Sequence, residues 1–143
     1  MRRLLPTFLL LLVPSTAGCG RFAPEEATRF SPPAEYLAWW NATEACSGRH
    51  ASMSRVTWFK VPGEGFACPT GMCVGRWEDN HTIYVAEAYL DHEMVVRHEM
   101  LHDLLDAHGH PDPPFGQPCP LTWSTWTGPG AGLRADAPMP GLD

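Results

Sequence analysis

The stretch Val95-Val96-Arg97-His98-Glu99-Met100-Leu101-His102 decides how this chain is read. On an α-helix, residues four apart lie roughly 40° apart around the axis and one turn up. His98 and His102 can therefore aim both imidazoles at one point, with Glu99 projecting beside it. Met94, Val95, Met100, Leu101, Leu104 and Leu105 give the same helix an apolar surface to bury. The helix is expected to start near Asp91, whose side chain can cap it. It should run to about Ala107, with Gly109 and Pro111 as its stop.

Working outward, Ser31-Pro32-Pro33 reads as the start of an earlier helix, with a side-chain cap and prolines in its first turn. That helix should reach about Ala45 and end near Ser47-Gly48, with Trp39 and Trp40 as core anchors. Arg55 to Val61 has the β-branched and aromatic content of a strand, and Pro62-Gly63-Glu64-Gly65 then turns the chain. Further short strands are expected at Val74–Trp77 and at His81–Ala86, where Ile83 and Val85 alternate with Thr82, Tyr84 and Ala86 in a half-buried pattern. The expected class is α+β: an N-terminal helix, a small antiparallel sheet, a long motif-bearing helix and an irregular Pro-rich C-terminal tail. The domain would cover 32–126 and a disordered tail 127–143. No internal repeat is visible.

Residues 1–18 read as an export signal: Arg2 and Arg3, an apolar run from Leu4 to Val13, and a small-residue end before Cys19. That run is too short to span a bilayer comfortably. Thr16-Ala17-Gly18-Cys19 resembles the lipobox of bacterial lipoproteins, which implies lipidation at Cys19; ordinary secretion or a retained N-terminal anchor are the alternatives. Lipid would hold the chain at a bacterial membrane, and Gly20 in place of aspartate implies the outer membrane in a Gram-negative host. Residues 19–31 then serve as a tether. Removing 1–18 takes two of the 10 Lys+Arg and none of the 16 Asp+Glu, leaving 8 against 16. So acidic a chain argues against nucleic acid as a partner and against electrostatic adhesion to anionic lipid. Length points to one modest domain, expected to be a monomer.

With Cys19 lipidated, Cys46, Cys68, Cys73 and Cys119 remain, and an even number in an exported chain reads as two disulfides. Three pairings are open. Loop closure favours tying Cys46 and Cys119 to the Cys68/Cys73 hairpin over local pairing. A zinc site built from these thiols is the rival reading.

His98-Glu99-Met100-Leu101-His102 is the H-E-x-x-H pattern, and the chain resembles a minimal zincin-type metallopeptidase. The resemblance covers roughly 32–119, and its specific part runs from His98 to Phe115. It implies Zn2+ bound by His98 and His102, with Glu99 as the base that activates a water held by the metal. The partner implied is a peptide or protein substrate. A third ligand is needed. Thermolysin-like zincins use a later glutamate, and none follows Glu99. The metzincin spacing points to His108, but Leu105 stands where that group has glycine, and an unbroken helix would turn His108 about 120° from His102. His110, just past Gly109, resembles the His-then-Phe stretch of small SprT-like zincins and is preferred; Asp112 or Asp136 is the remaining choice. In zincins an edge strand precedes the motif helix, which points to His81–Ala86 as a free edge for an extended peptide.

Other polar residues have plainer readings. Asp103 and Asp106 are expected on a solvated helix face, or one of them as an acceptor fixing a ligand imidazole. His50, His81 and His92 are expected on the surface or simply hydrogen-bonded, and Arg97 should pair with Glu93. Tyr84 or His108 could polarise a reacting carbonyl. The alternatives to a peptidase are a non-catalytic metal-binding lipoprotein and a structural lipoprotein stapled by disulfides.

Overall fold

The computed structural model describes residues 21–131 and 141–142. The export signal, Cys19, Asp136 and most of the expected tail lie outside the described residues. The elements in order are β1 (Thr28–Arg29), α1 (Glu35–Ser47), β2 (Thr57–Val61), β3 (Phe66–Cys68), β4 (Gly71–Glu78), β5 (Thr82–Ala86), α2 (Glu93–Leu105) and β6 (Gly141–Leu142). Single 3-10 turns at Met53–Arg55 and Glu87–Tyr89 lead into β2 and towards α2. The α+β class holds.

The sheet is mixed rather than antiparallel. Its order is β1-β2-β5-β4-β3, with β6 paired to β4. β5 runs parallel to β2 (Trp58 opposite Ile83) and antiparallel to β4 (Trp77 opposite Ile83). β4 comes back between them in sequence, so β5 enters the sheet in the direction of β2 and fills the slot between the two. All five of its residues are buried, not alternate ones. Trp58, Ile83 and Trp77 form a row facing the helices, while Phe59, Tyr84 and Arg76 form a row on the opposite face. Phe22 covers that second row, 5.7 Å edge-on from Tyr84 and 4.8 Å from the Arg76 guanidinium carbon. The stretch 19–31, expected as a tether, is therefore docked from Phe22 onward, and Thr28–Arg29 adds antiparallel to β2. With β2 and β4 on either side, β5 has no free edge to receive a peptide.

Both helices differ at their starts from the expected caps. α1 begins at Glu35 with Ala34 before it and no side-chain cap; Ser31 and the two prolines form the approach. It ends as expected, at Gly48, whose left-handed backbone (φ 67°) sends its N–H to the Glu44 carbonyl. α2 starts at Glu93 after His92, without a cap from Asp91. It stops at Leu105 because Asp106 takes the left-handed conformation and its N–H closes on the Asp103 and His102 carbonyls. Aspartate tolerates that backbone region better than most residues, so the helix breaks before Gly109. Trp40 and Tyr36 of α1 are buried in the main core, whereas Trp39 is half-buried and stacks on Tyr36. Arg97 bonds Glu93 at 2.8 Å as expected and also donates to Thr43 of α1.

A second, smaller core of Leu101, Phe115, Cys119 and Leu121 lies under the end of α2. The bridge Cys46–Cys119 ties it to α1 across 73 residues of sequence, and Cys68–Cys73 closes the β3–β4 hairpin. This is the pairing that loop entropy disfavoured. Position decided it: Cys68 and Cys73 lie two residues out of register across the β3–β4 hairpin with Cα atoms 6.0 Å apart, and Cys46 lies 5.3 Å from Cys119. Disulfides of this kind fit an oxidising, extracellular environment. Among the described residues no helix is long and apolar enough to cross a membrane.

Candidate metal centre

α2 contributes two imidazoles one turn apart, and the chain returning after Asp106 contributes a third. His98, His102 and His110 form a group able to hold a metal ion. The Nε2 atoms of His98 and His102 are 3.2 Å apart, and those of His98 and His110 are 2.9 Å apart. His98 and His102 are buried and His110 is exposed.

The outer ring nitrogens explain why the inner ones converge. The Nδ1–H of His98 donates to the Leu121 carbonyl at 2.6 Å, and that of His102 to the Ala107 carbonyl at 2.8 Å. A carbonyl only accepts, so each Nδ1 carries the hydrogen; in its neutral form such a ring turns an Nε2 lone pair inward. Two such lone pairs repel unless a proton or a cation lies between them. Tetrahedral zinc with Zn–N near 2.0–2.1 Å separates its nitrogen ligands by about 3.3 Å, close to what is seen. The donor set is able to hold a metal ion, with outer partners of the kind that orient metal ligands. The ring of Phe115 packs at 4.9 Å from all three imidazoles and backs the cluster with an apolar wall.

Glu99 is fully buried between α2 and β4. A Cβ built on Gly75 would fall 2.5 Å from Glu99 Oε1, so the bare backbone of β4 is what gives this carboxylate room. A groove of about 400 Å³ opens beside the cluster, lined by Pro69, Thr70, Arg76, His108, Gly109 and His110. It brings solvent to the exposed face of His110.

Other expected residues fall elsewhere. His108 bonds Asp79 at 2.7 Å and stays out of the cluster, although it lines the groove. Asp112 is not among the clustered donors; it lies beside Gly116. Tyr84 is on the sheet face away from α2, where burial raises its phenol above the ordinary value and its hydroxyl donates to the Phe22 carbonyl at 3.3 Å. Asp103 is buried, not solvated. It accepts from Arg55 Nε at 2.7 Å, Trp77 Nε1 at 3.0 Å and His81 Nδ1 at 2.9 Å, while Arg55 Nη2 reaches its backbone carbonyl at 2.6 Å. It does not fix a ligand imidazole directly; it clamps the last turn of α2 to β4, and the Trp77 it holds lies near-parallel to His102, 14° between planes. Asp106 is exposed, as expected. The sequence reading passed over Gly75, Ala107 and Leu121. A glycine inside a strand does signal close backbone approach; backbone carbonyls that accept a hydrogen bond leave no mark in sequence.

No protein-family model, curated protein or solved structure matches the chain.

Proposed function

We propose that this chain is an exported zinc-dependent peptidase in which Glu99 activates the attacking water. The observation that carries the reading is the convergence of three Nε2 atoms, two of them fixed by Nδ1–H bonds to carbonyls, on the helix that also bears a buried glutamate. Three imidazoles leave a fourth tetrahedral position open, which separates a catalytic donor set from a closed structural one. A zinc ion held there would supply Lewis-acid polarisation of a peptide carbonyl and a lowered pKa for water.

The chain's own groups do the rest. His98 and His102 orient through their fixed rings with His110 beside them, and Phe115 excludes water from behind the three. Glu99 takes the proton from the attacking water at a carboxylate oxygen and passes it to the departing amine, so one peptide bond is exchanged for a carboxylate and an amine. The groove beside His110 admits the substrate. Lipidation at Cys19, with tethering at a bacterial membrane, belongs to the same proposal.

The test compares the full mature chain with two variants. Wild type and Glu99→Gln should each hold one zinc per chain by elemental analysis, and His98→Ala should hold little. Hydrolysis of a mixed peptide library should be lost in Glu99→Gln. Zinc uptake that survives His98→Ala, or turnover that survives Glu99→Gln, would refute the assignment. Zinc without turnover in any form would leave a metal-binding lipoprotein.

A further inference from the structure

We infer that the sheet face carrying Phe22 lies against the membrane, so that the groove beside His110 works at the membrane surface on polypeptide held there. The inference rests on lipidation at Cys19, as proposed above, and on how little chain separates that residue from the folded domain. A leash over 19–31 would reach about 45 Å when extended. Docking of Phe22 shortens it. The Phe22 ring packs edge-on against Tyr84 at 5.7 Å and lies 6.4 Å from Phe66. The Arg76 guanidinium carbon stands 4.8 Å over it, and its carbonyl accepts from the Tyr84 hydroxyl at 3.3 Å. Three residues then lead back from Phe22 to Cys19, a reach of ~10 Å. A domain of this length is roughly 30 Å across, so the leash is too short for the molecule to roll over and present its helices to the bilayer.

The surface held down by that leash is one cross-strand row. Arg29, Phe59, Tyr84 and Arg76 are paired in turn across β1, β2, β5 and β4, on the side away from the helices. Phe59 stacks on Tyr84 and is half-buried, and Arg29 is exposed. Aromatic rings and long cationic side chains suit the headgroup layer, the ring at the boundary and the charge beside phosphate. Arg76 is already paired with Glu78 at 2.6 Å, and the chain as a whole is acidic, so the leash and not net charge sets the orientation. Arg76 belongs to two places at once. It sits over Phe22, and it lines the groove with Thr70, His108 and His110. The groove therefore begins one side chain from the root of the leash, at the rim of the membrane face. Polypeptide anchored in or lying on the same bilayer is what reaches it. That substrate class rests on the peptidase reading; the orientation does not.

The test uses the full mature lipidated chain in nanodiscs of phosphatidylethanolamine and phosphatidylglycerol, with a fraction of the headgroups spin-labelled. Amide signals of Arg29, Phe59 and Tyr84 should be lost to broadening, while those of Leu37 and Asn41 on α1 persist. A Gly/Ser insertion of about 12 residues after Gly20 adds up to ~40 Å of reach and should erase that contrast. Cys19 found unmodified in the native chain by mass spectrometry, equal broadening on both faces, or a contrast that survives the insertion would each overturn the orientation. For the substrate, a lipid-anchored peptide of mixed sequence should be cut within roughly 6 residues of its anchor, ~20 Å of extended chain, and farther out by the insertion variant. Cuts spread evenly along that peptide would overturn the substrate class. If broadening behaves as expected while no form hydrolyses peptides, the orientation stands and the peptidase reading falls, taking the substrate class with it.

Discussion

Gly75→Ala places a methyl group where Glu99 already lies. The added carbon would stand 2.5 Å from Oε1, 2.9 Å from Cγ and 3.0 Å from Cδ. Ordinary contact begins near 3.4 Å, so Oε1 must retreat by roughly 0.9 Å. Glu99 has no accessible surface, so its carboxylate cannot yield by swinging out into solvent. Overpacking of this kind costs about 1–3 kcal/mol, less a few tenths regained because alanine suits a strand better than glycine. For a domain of this size that lowers Tm by several degrees per kcal/mol. Displacing a catalytic group by about 1 Å costs on the order of 100-fold in rate. Zinc content should stay at one per chain, since the three imidazoles are untouched. The assay combines thermal melts, elemental analysis and peptide hydrolysis, with Glu99→Ala as the second arm of a double-mutant cycle. Once the glutamate side chain is gone the methyl has space, so Gly75→Ala should then cost little, a coupling of about 1 kcal/mol or more. A Gly75→Ala chain that melts and turns over like wild type would refute the claim that β4 fixes Glu99.

Asp103→Ala leaves Arg55, Trp77 Nε1 and His81 without their shared acceptor, and should cost on the order of 3 kcal/mol in denaturant unfolding while lowering zinc affinity through the loosened end of α2. Cys46→Ser/Cys119→Ser opens a loop of 73 residues' separation, which chain entropy values at about 4 kcal/mol, and should weaken zinc binding about 10- to 100-fold by releasing Leu121 from His98. Burial holds the His92 imidazole below its ordinary value near 6.5, so the unfolded chain takes up a proton first as pH falls. Stability should therefore decline from about pH 6.5 down to the lower folded value, and His92→Phe should flatten that slope in melts run across the window.

The motif helix was legible because its signal is local. Two histidines at i and i+4, an apolar stripe and a glycine beyond fix its type, and His110 was preferred over His108 and a carboxylate from the break at Gly109 together with the resemblance of His110–Phe115 to SprT-like zincins. The break itself came earlier, at Asp106, since an aspartate can close a helix without glycine and nothing in the sequence marks where it will. β2, β4 and β5 lie where β-branched and aromatic residues cluster and were expected there, but β1, β3 and β6 were not, nor was the strand order. A hairpin-by-hairpin reading leaves β5 at an edge, whereas its pairing with β2 on one side and β4 on the other puts it in the middle, with all five residues buried. Asp103 misled for the same reason. Its three donors come from positions 55, 77 and 81, and a carboxylate on a helix reads as solvated until those partners are in place.

The candidate metal cluster and a disulfide meet in one short segment. α2 alone provides two donors, and both need an outer acceptor to hold the correct tautomer. The returning chain supplies the third imidazole at His110, the apolar wall at Phe115 and the Leu121 carbonyl that accepts the His98 Nδ1–H bond. That segment forms only a bridge between Phe115 and Cys119 and a few turns of its own, with Leu121 N–H closing on the Cys119 carbonyl at 2.7 Å. So little regular structure cannot hold three groups in register by itself. The Cys46–Cys119 bridge, anchored on the last turn of α1, does it from outside. The histidine motif can be written on a helix in any compartment, but in this chain the complete cluster should assemble only where thiols oxidise.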